Sequence, residues 1–208
     1  MTAVPPRPAG PLVDVYDAAY AGVPNWDIGR PQRAFLALAE AGYVEGPVLE
    51  VGCGTGELSL YLANRGLAVL GVDLSRRAVA RARAKARRRG LDARFLVWDV
   101  LALDRLADLG FAFRTVLDCA MFHVLGGAER ERFVDGLETV LRAGGLYCVL
   151  GDARRDRSIY GLSPAELRAR FDRPGWSVEF IHETVFERRY STNPAYIAGV
   201  RRTSAEGG

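Results

Sequence analysis

The chain has 208 residues, of which 49% are hydrophobic, and its formal net charge at pH 7 is +3. This length and apolar content are sufficient for the buried core of one domain. No apolar run reaches the roughly 18 residues of a membrane-spanning helix. A net charge this small gives little basis for binding nucleic acid.

The chain contains three cysteines, Cys53, Cys119 and Cys148, in apolar surroundings and without metal-ligand spacing. An odd number of such cysteines favours reduced thiols, so we expect a cytoplasmic protein with no bound metal. Residues 1–11 lack the layout of a signal peptide and are expected to form a disordered lead. Residues 12–203 are expected to form a single domain.

Apolar runs alternate with helical patterns along the chain. Two helices are predicted first, over residues 13–22 and 31–42. Strands are then predicted at residues 47–52, 67–73, 93–99, 114–122, 146–152, 176–190 and 195–202. The helices between them are predicted at 57–65, between Ser75 and Gly90, at 128–145, and from the Ser-Pro-Ala-Glu stretch at 163–166 onwards.

Strands separated by helices are typical of a parallel sheet with helices on both faces. The last two strands predict an antiparallel end with a hairpin around Ser191–Pro194. The predicted fold class is therefore α/β, doubly wound and Rossmann-like. In such sheets, ligands bind at the carboxyl ends of the strands, where the strand order reverses.

The stretch VLEVGCGTGELSLYLA places Gly52, Gly54 and Gly56 in a turn between a strand and a helix. Such turns commonly hold anionic or nucleotide ligands at the helix N-terminus. The dinucleotide fingerprint requires a glycine at position 57, but the chain has Glu57, a poor neighbour for two phosphates. The turn therefore favours a smaller nucleoside ligand that carries a carboxylate.

Carboxylates end the next two predicted strands. Asp73 stands where a carboxylate can accept hydrogen bonds from both ribose hydroxyls, and Asp99 stands where one can accept from an adenine amino group. Either acid alone is compatible with a strand end that is merely solvated. The ordered set at three successive strand ends indicates a nucleoside site.

The stretches LEVGCGTG, GVDLS, WDV and VLDCAMFHVL resemble the successive motifs of class I S-adenosylmethionine-dependent methyltransferases. The resemblance covers residues 47 to about 152. It implies S-adenosylmethionine as the cofactor and a seven-stranded sheet of order 3-2-1-4-5-7-6 with strand 7 antiparallel. The cofactor-binding residues that it implies are Glu50, Gly52, Cys53, Gly54 and Gly56 in the turn beneath the methionine part, Asp73 at the ribose, Leu74, Asp99 and Val100 at the adenine, and Asp118 and Cys119 beside the methionine.

The stretch VPNWDIGRPQ, residues 23–32, resembles a PWD-x-G segment. That segment occurs in thiol, halide and thiopurine methyltransferases and in bacterial enzymes that methylate phenols and hydroxyquinolones. The resemblance implies that residues 12–43 form a helical lid over the cofactor. Trp26 would then lie near the sulfonium, which suits an aromatic face, and Arg30 would reach the methionine carboxylate. A packing tryptophan in a loop is the alternative interpretation of Trp26.

His123 follows the fourth predicted strand at the edge where a methyl acceptor must lie. We interpret it as the catalytic base that removes the proton of a hydroxyl acceptor. This role predicts a rate that rises through the imidazole pKa, about 6.5. A buried histidine bonded to the backbone is the alternative. His182 lies within a strand pattern and is interpreted as a strand-face residue.

The predicted activity is transfer of a methyl group from S-adenosylmethionine to a heteroatom, above all a hydroxyl oxygen, of a small aromatic or heterocyclic molecule. A thiol, halide or metalloid anion is the alternative acceptor. Two other classes remain open: a nicotinamide-dependent oxidoreductase, which Glu57 opposes, and a non-catalytic protein that binds S-adenosylmethionine or nucleic acid. No metal, nucleic-acid or membrane partner is expected.

Overall fold

A computed structural model describes residues 11–154, 158 and 160–203. The predicted lead, residues 1–11, lies outside the described residues except for Pro11, which begins the first helix. Within the described part, the strands are β1 Val48–Val51, β2 Val69–Asp73, β3 Ala93–Val97, β4 Phe113–Cys119, β5 Leu141–Asp152, β6 Trp176–Glu187 and β7 Thr192–Arg202. The α-helices are α1 Pro11–Ala19, α2 Arg33–Glu40, α3 Glu57–Asn64, α4 Arg76–Arg89, α5 Asp104–Asp108, α6 Gly127–Val140 and α7 Pro164–Phe171.

The strands form one sheet in the order β3-β2-β1-β4-β5-β7-β6. The first five strands, β1 to β5, pair in parallel. Strand β7 runs antiparallel to both β5 and β6. The predicted strand order and the antiparallel seventh strand are thus confirmed. Because the order reverses between β1 and β4, the carboxyl ends of these strands border the crevice in which doubly wound sheets bind ligands.

The central strands are buried on both faces, which is why they are continuous apolar runs. Every residue of β1 and β2 is buried. The buried residues form three core clusters, the largest of which includes Phe133, Tyr147 and Phe171. In the described part of the chain, no helix has the length and apolar content to cross a membrane.

Capping residues set the ends of two helices as the sequence predicts. Ser75 Oγ accepts a hydrogen bond from the Ala78 amide at the start of α4, and Gly90 ends that helix with a φ of 63°. Ser163 Oγ accepts from the Glu166 amide at the start of α7. Each cap satisfies a backbone group that the helix itself leaves unpaired.

Several boundaries differ from the prediction, most of all the one between α6 and β5. The helix predicted over 128–145 ends at Val140, and β5 begins at Leu141 rather than at residue 146. Leu141 is buried and pairs with Phe113 of β4. A continued helix would instead have incorporated the two glycines at 144 and 145, which disfavour helix. Strand β4 ends at Cys119 rather than at residue 122, because Ala120 turns the chain with a φ of 67°.

A buried arginine joins the segments that follow β4 and β5. The guanidinium of Arg130 on α6 donates to the carbonyl oxygens of His123 at 3.3 Å and Gly161 at 3.0 Å. It also pairs at 2.5 Å with Glu166 of α7, which in turn accepts from Arg154. Because both segments border the ligand crevice, this network fixes one wall of it.

We expect Glu166→Ala to lower the free energy of unfolding by about 3 kcal/mol, since it leaves the buried Arg130 guanidinium without its carboxylate. Urea denaturation followed by circular dichroism measures the change. Glu131→Ala is the matched control, because the Glu131 carboxylate is 64% exposed where it pairs with Arg170. Loss of this exposed ion pair should lower the free energy of unfolding by less than about 1 kcal/mol. Equal costs for the two variants would show that the Arg130 network does not stabilise the fold.

Candidate functional site

The described residues form a cavity of about 640 Å³ at the carboxyl edge of the sheet. This volume is in the range of small-molecule sites. All the predicted site residues except Asp99 and Asp118 line it, namely Trp26, Arg30, Glu50, Gly52, Cys53, Gly54, Gly56, Asp73, Leu74, Val100, Cys119 and His123. Residues from distant parts of the chain thus meet at one site.

The glycine turn brings its backbone directly against neighbouring side chains. Gly52 and Gly54 have φ angles of 65° and 52°, which side chains rarely adopt. A Cβ atom on Gly52 would lie 2.8 Å from the Cβ of Met121, and one on Gly54 would lie 2.7 Å from the hydroxyl of Tyr20. Only glycine fits these two positions, so the turn forms a cradle of bare backbone at the N-terminus of α3.

Two buried carboxylates shape the floor of the cavity. Asp73 accepts hydrogen bonds from the amides of Gly54 and Ser75, both at 2.8 Å, and burial raises its pKa to about 6. Glu50 accepts from the amide of Ser59 at 2.8 Å, and burial raises its pKa to about 7. Each carboxylate oxygen has two lone pairs, so both groups can accept further donors from a ligand.

Asp99 supports the cavity wall without lining it. Its Oδ1 accepts from the amide of Leu101 at 2.9 Å and caps the short 3-10 helix Val100–Ala102. Val100 itself lines the cavity, as does Leu74 after β2. The contact of the Asp99 carboxylate with an adenine amino group stays a prediction.

Asp118 is fully buried and does not line the cavity either. Its carboxylate accepts from the amides of Met121 at 2.8 Å and Phe122 at 3.0 Å, and from the hydroxyl of Tyr147 at 3.0 Å. Burial raises the pKa of Asp118 to about 7. These contacts hold the turn after β4, which carries His123 to the cavity.

The segment around Trp26 is attached to the glycine turn. Trp26 Nε1 donates to the Tyr20 hydroxyl at 3.0 Å, and the two rings stand edge to face. The Asp27 carboxylate accepts from the Thr55 hydroxyl at 3.0 Å. Sequence reasoning gave no role to Tyr20, Asp27 or Thr55. Asp27 could have been identified from the sequence, because it directly follows Trp26 in the PWD-x-G segment.

Arg30 lines the cavity, but its guanidinium is engaged by the end of β6. It donates to both carboxylate oxygens of Glu187, at 2.7 and 3.1 Å. The side-chain amide of Gln32 exchanges two hydrogen bonds with the backbone of Glu187, both at 2.8 Å. The guanidinium therefore contacts Glu187 in this arrangement, and its predicted contact with a ligand carboxylate stays a prediction.

His123 lines the cavity and is 9% exposed. Its Nδ1 accepts a hydrogen bond from the amide of Asp152 at 3.0 Å. Because that nitrogen accepts, the neutral ring carries its proton on Nε2. Nε2–H is thus a donor available to a ligand.

Burial lowers the pKa of His123 from 6.5 to about 4. The ring is therefore neutral at neutral pH, but neither nitrogen offers a free lone pair. This geometry does not favour the base that the sequence suggested. It favours a neutral hydrogen-bond donor.

The wall around His123 comes from the ends of β5 and β6. The Arg188 guanidinium lies 5.1 Å above the Phe186 ring and pairs with Asp152 at 2.5 Å. Phe186 is buried beside the imidazole, at 6.2 Å between ring centroids. Sequence reasoning missed this wall. Its only sequence signal was an aromatic and two arginines at the hairpin end of β6.

The three cysteines are free thiols. Burial raises the pKa of Cys53 and of Cys119, both of which line the cavity. At neutral pH these thiols are therefore protonated and poorly nucleophilic. No group of three or more His, Cys, Asp and Glu side chains among the described residues is placed to hold a metal ion.

Comparison with known proteins identifies relatives of the chain. A family model described as a methyltransferase domain matches residues 48–145. Phosphatidylethanolamine N-methyltransferase of Cereibacter sphaeroides is 38% identical over 82% of this chain and 79% of its own length. The 2-heptyl-1-hydroxyquinolin-4(1H)-one methyltransferase of Mycobacteroides abscessus is 33% identical over 67% of this chain. The match spans 64% of that enzyme, less than two thirds of its length.

Solved structures show the same fold. One, from work on the conversion of a disulfide bond into a thioacetal group during echinomycin biosynthesis, has a TM-score of 0.80. It is 34% identical and covers 94% of both chains. Magnesium protoporphyrin IX methyltransferase from Synechocystis with bound S-adenosylmethionine has a TM-score of 0.68 at 19% identity, over 94% of this chain and 99% of that one.

We expect Asp118→Ala to lower the free energy of unfolding by about 3 kcal/mol, because it leaves two buried amides and a buried hydroxyl unpaired. Tyr147→Phe removes only one of these hydrogen bonds and should cost about 1 kcal/mol. Urea unfolding of both variants tests this. If Asp118→Ala were no more costly than Tyr147→Phe, Asp118 would not support the turn after β4.

Proposed function

The chain belongs to the class I S-adenosylmethionine-dependent methyltransferases, and on that premise we propose that it methylates a hydroxyl oxygen of a small aromatic or heterocyclic molecule. The observation that carries this proposal is the cavity itself. It combines a glycine cradle and buried carboxylates with an aromatic wall and an imidazole donor.

The residues of the cradle fit the cofactor. Asp73 would accept the ribose hydroxyls, Leu74 and Val100 would cover the adenine, and the bare backbone at Gly52 and Gly54 would admit the methionine part. When bound, S-adenosylmethionine supplies a methyl group on a positively charged sulfur. Neither Glu50 nor Asp73 has a cationic partner among the described residues, so the floor of the cavity suits a cationic ligand.

We assign residues 12–43 to a lid over this site. Trp26 lines the cavity, and an aromatic ring there is favourable beside a cationic sulfur. The lid is held from two sides, by Asp27 on Thr55 and by Arg30 on Glu187. Its closure would exclude water and hold the reactants in line, and such positioning can supply on the order of 7–11 kcal/mol of the barrier.

The acceptor end favours an oxygen over an amine nitrogen. A neutral amine has one lone pair, and a donor such as His123 Nε2–H would occupy the pair that must attack the methyl carbon. A hydroxyl oxygen has further lone pairs and can accept from His123 while it reacts. The hydroxyquinolone methyltransferase of Mycobacteroides abscessus supports an aromatic acceptor of this kind.

A sulfur acceptor is the second candidate. The structure from the work on echinomycin biosynthesis concerns sulfur chemistry and is 34% identical over 94% of this chain. A thiolate also has spare lone pairs, so the His123 donor suits it equally. The acceptor assay below separates the two candidates.

We expect the protein to transfer a labelled methyl group from S-adenosylmethionine to phenols or hydroxyquinolones, and mass spectrometry should identify the product as a methyl ether. Thiols, iodide and amines are assayed in parallel. Gly54→Val serves as the inactive control, because its side chain has no room beside the Tyr20 hydroxyl. Transfer to thiols alone would favour the sulfur candidate, and transfer to amines alone would contradict the proposal.

The affinity for S-adenosylhomocysteine should rise with pH through about 6, the pKa of Asp73 in the free protein. Ribose hydroxyls donate to the ionised carboxylate, so ligand binding favours the deprotonated form. Calorimetry at about pH 5 should give an affinity roughly tenfold below that at pH 7. Asp73→Asn should bind more weakly by about 1–3 kcal/mol and lose this pH dependence. A wild-type affinity that is the same at both pH values would contradict the assignment of Asp73 to the ribose.

A further inference from the structure

We propose that the acceptor binds as its anion and that His123 receives the anionic atom as a hydrogen-bond donor, with no proton passing to the enzyme. The substrate class is therefore an acidic hydroxyl, such as an electron-poor phenol or an N-hydroxy heterocycle, or a thiol. This inference rests on the proposed function and adds the ionisation state of the acceptor to it.

The orientation of the imidazole is fixed by a neighbouring group that can act only as a hydrogen-bond donor. The backbone amide of Asp152 can only donate, so Nδ1 of His123 must accept. The carbonyl of His123 is held in turn by the amide of Gly161 at 2.8 Å and by the buried Arg130. A Cβ atom on Gly151 would lie 2.8 Å from the Cβ of His123, so β5 packs tightly against the base of the side chain. Nε2–H is therefore the atom that this residue presents to a ligand.

Besides the carboxylates of the cradle and of Asp27, those of Asp152 and Glu129 line the cavity. Asp152 Oδ2 pairs with Arg188 at 2.5 Å, whereas its Oδ1 is buried without a hydrogen-bond partner in the described part of the chain. The Glu129 carboxylate accepts from the amide of Gly126 at 2.7 Å, at the start of α6. No carboxylate among the described residues accepts a hydrogen bond from the His123 side chain, so none is placed to relay a proton through the imidazole.

Tyr16 also lines the cavity, and burial raises the pKa of its hydroxyl above the ordinary value near 10, so it keeps its proton at neutral pH. An acidic acceptor that releases its proton to solvent before it reacts needs no base from the enzyme.

The reaction then balances without an enzyme base. A lone pair of the anionic heteroatom forms the bond to the methyl carbon while the carbon–sulfur bond breaks, and that electron pair stays on sulfur. The negative charge disappears as the bond forms, so the hydrogen bond from His123 weakens towards the transition state. Such a contact contributes to binding and orientation of the acceptor more than to the chemical step.

The first test is spectroscopic and needs no turnover. The probe is 4-nitrophenol, whose phenol and phenolate forms absorb at different wavelengths, added to the protein saturated with S-adenosylhomocysteine. At about one pH unit below its own pKa, the free probe is roughly one-tenth ionised. We expect the bound probe to absorb as the phenolate in the wild type and as the phenol in His123→Ala. A probe bound to the wild type as the neutral phenol overturns the inference.

The second test separates a donor from a base. His123→Gln keeps an N–H donor but has no basic nitrogen, and His182→Gln alters an exposed histidine on β6 as the matched control. We expect His123→Ala to raise KM for an anionic acceptor by about 10- to 100-fold with a small change in kcat. His123→Gln should recover most of that loss, and His182→Gln should behave as the wild type. A base would instead lose about 10²- to 10⁴-fold in kcat in both His123 variants.

The third readout is the pH profile across a series of phenols from nitro-substituted to unsubstituted. We expect the inflection of kcat/KM to follow the pKa of each acceptor. An inflection at one fixed pH for all acceptors, together with an inactive His123→Gln, overturns the inference while the proposed function stands. Absence of methyl transfer to every phenol and thiol, with cofactor bound, overturns both.

Discussion

The cavity depends on a single recurring interaction, the capture of backbone amides by a buried carboxylate near the end of a strand. Glu50 in β1 accepts the amide of Ser59, and Asp118 in β4 accepts those of Met121 and Phe122, all from the segment that follows the strand. Asp73 in β2 accepts the amide of Ser75, which follows β2, and that of Gly54, which follows β1. The distances are 2.8 to 3.2 Å. Burying a charge is costly unless donors satisfy it. These amides supply the donors, so each segment is held in one conformation. The cradle, the floor and the turn to His123 therefore share one physical origin.

The same carboxylates set the electrostatic character of the site. Burial without a cationic partner raises the pKa of Glu50 to about 7 and that of Asp73 to about 6. A ligand that brings positive charge or hydrogen-bond donors stabilises the ionised forms. In the same cavity, burial lowers the pKa of His123 to about 4 and keeps the imidazole neutral. The buried carboxylates thus suit a cation, whereas His123 offers a neutral donor.

One set of contacts connects the glycine turn to the hairpin of β6 and β7. The segment around Trp26 joins them, because Asp27 accepts from Thr55 and Arg30 pairs with Glu187. Beside His123, Arg130 holds the carbonyls of His123 and Gly161 in place. The glycine turn and the wall around His123 are therefore linked through the hydrogen-bonded segment around Trp26. A bimolecular methyl transfer requires this linkage, because both reactants must be held in line.

The sequence by itself determined the α/β class, the glycine turn, and the caps of α4 and α7, which follow from local patterns: periodicity, turn chemistry and the residue at each strand end. The strand order and most of the predicted cofactor-binding residues came from the resemblance of the motifs to a known family. Tertiary structure decided which partner each polar side chain takes. Arg30 pairs with Glu187, 157 residues away, and Nδ1 of His123 accepts from Asp152, 29 residues away. Local patterns report the conformation of a segment but not its long-range hydrogen bonds, and one such bond decides whether an imidazole is a base or a donor.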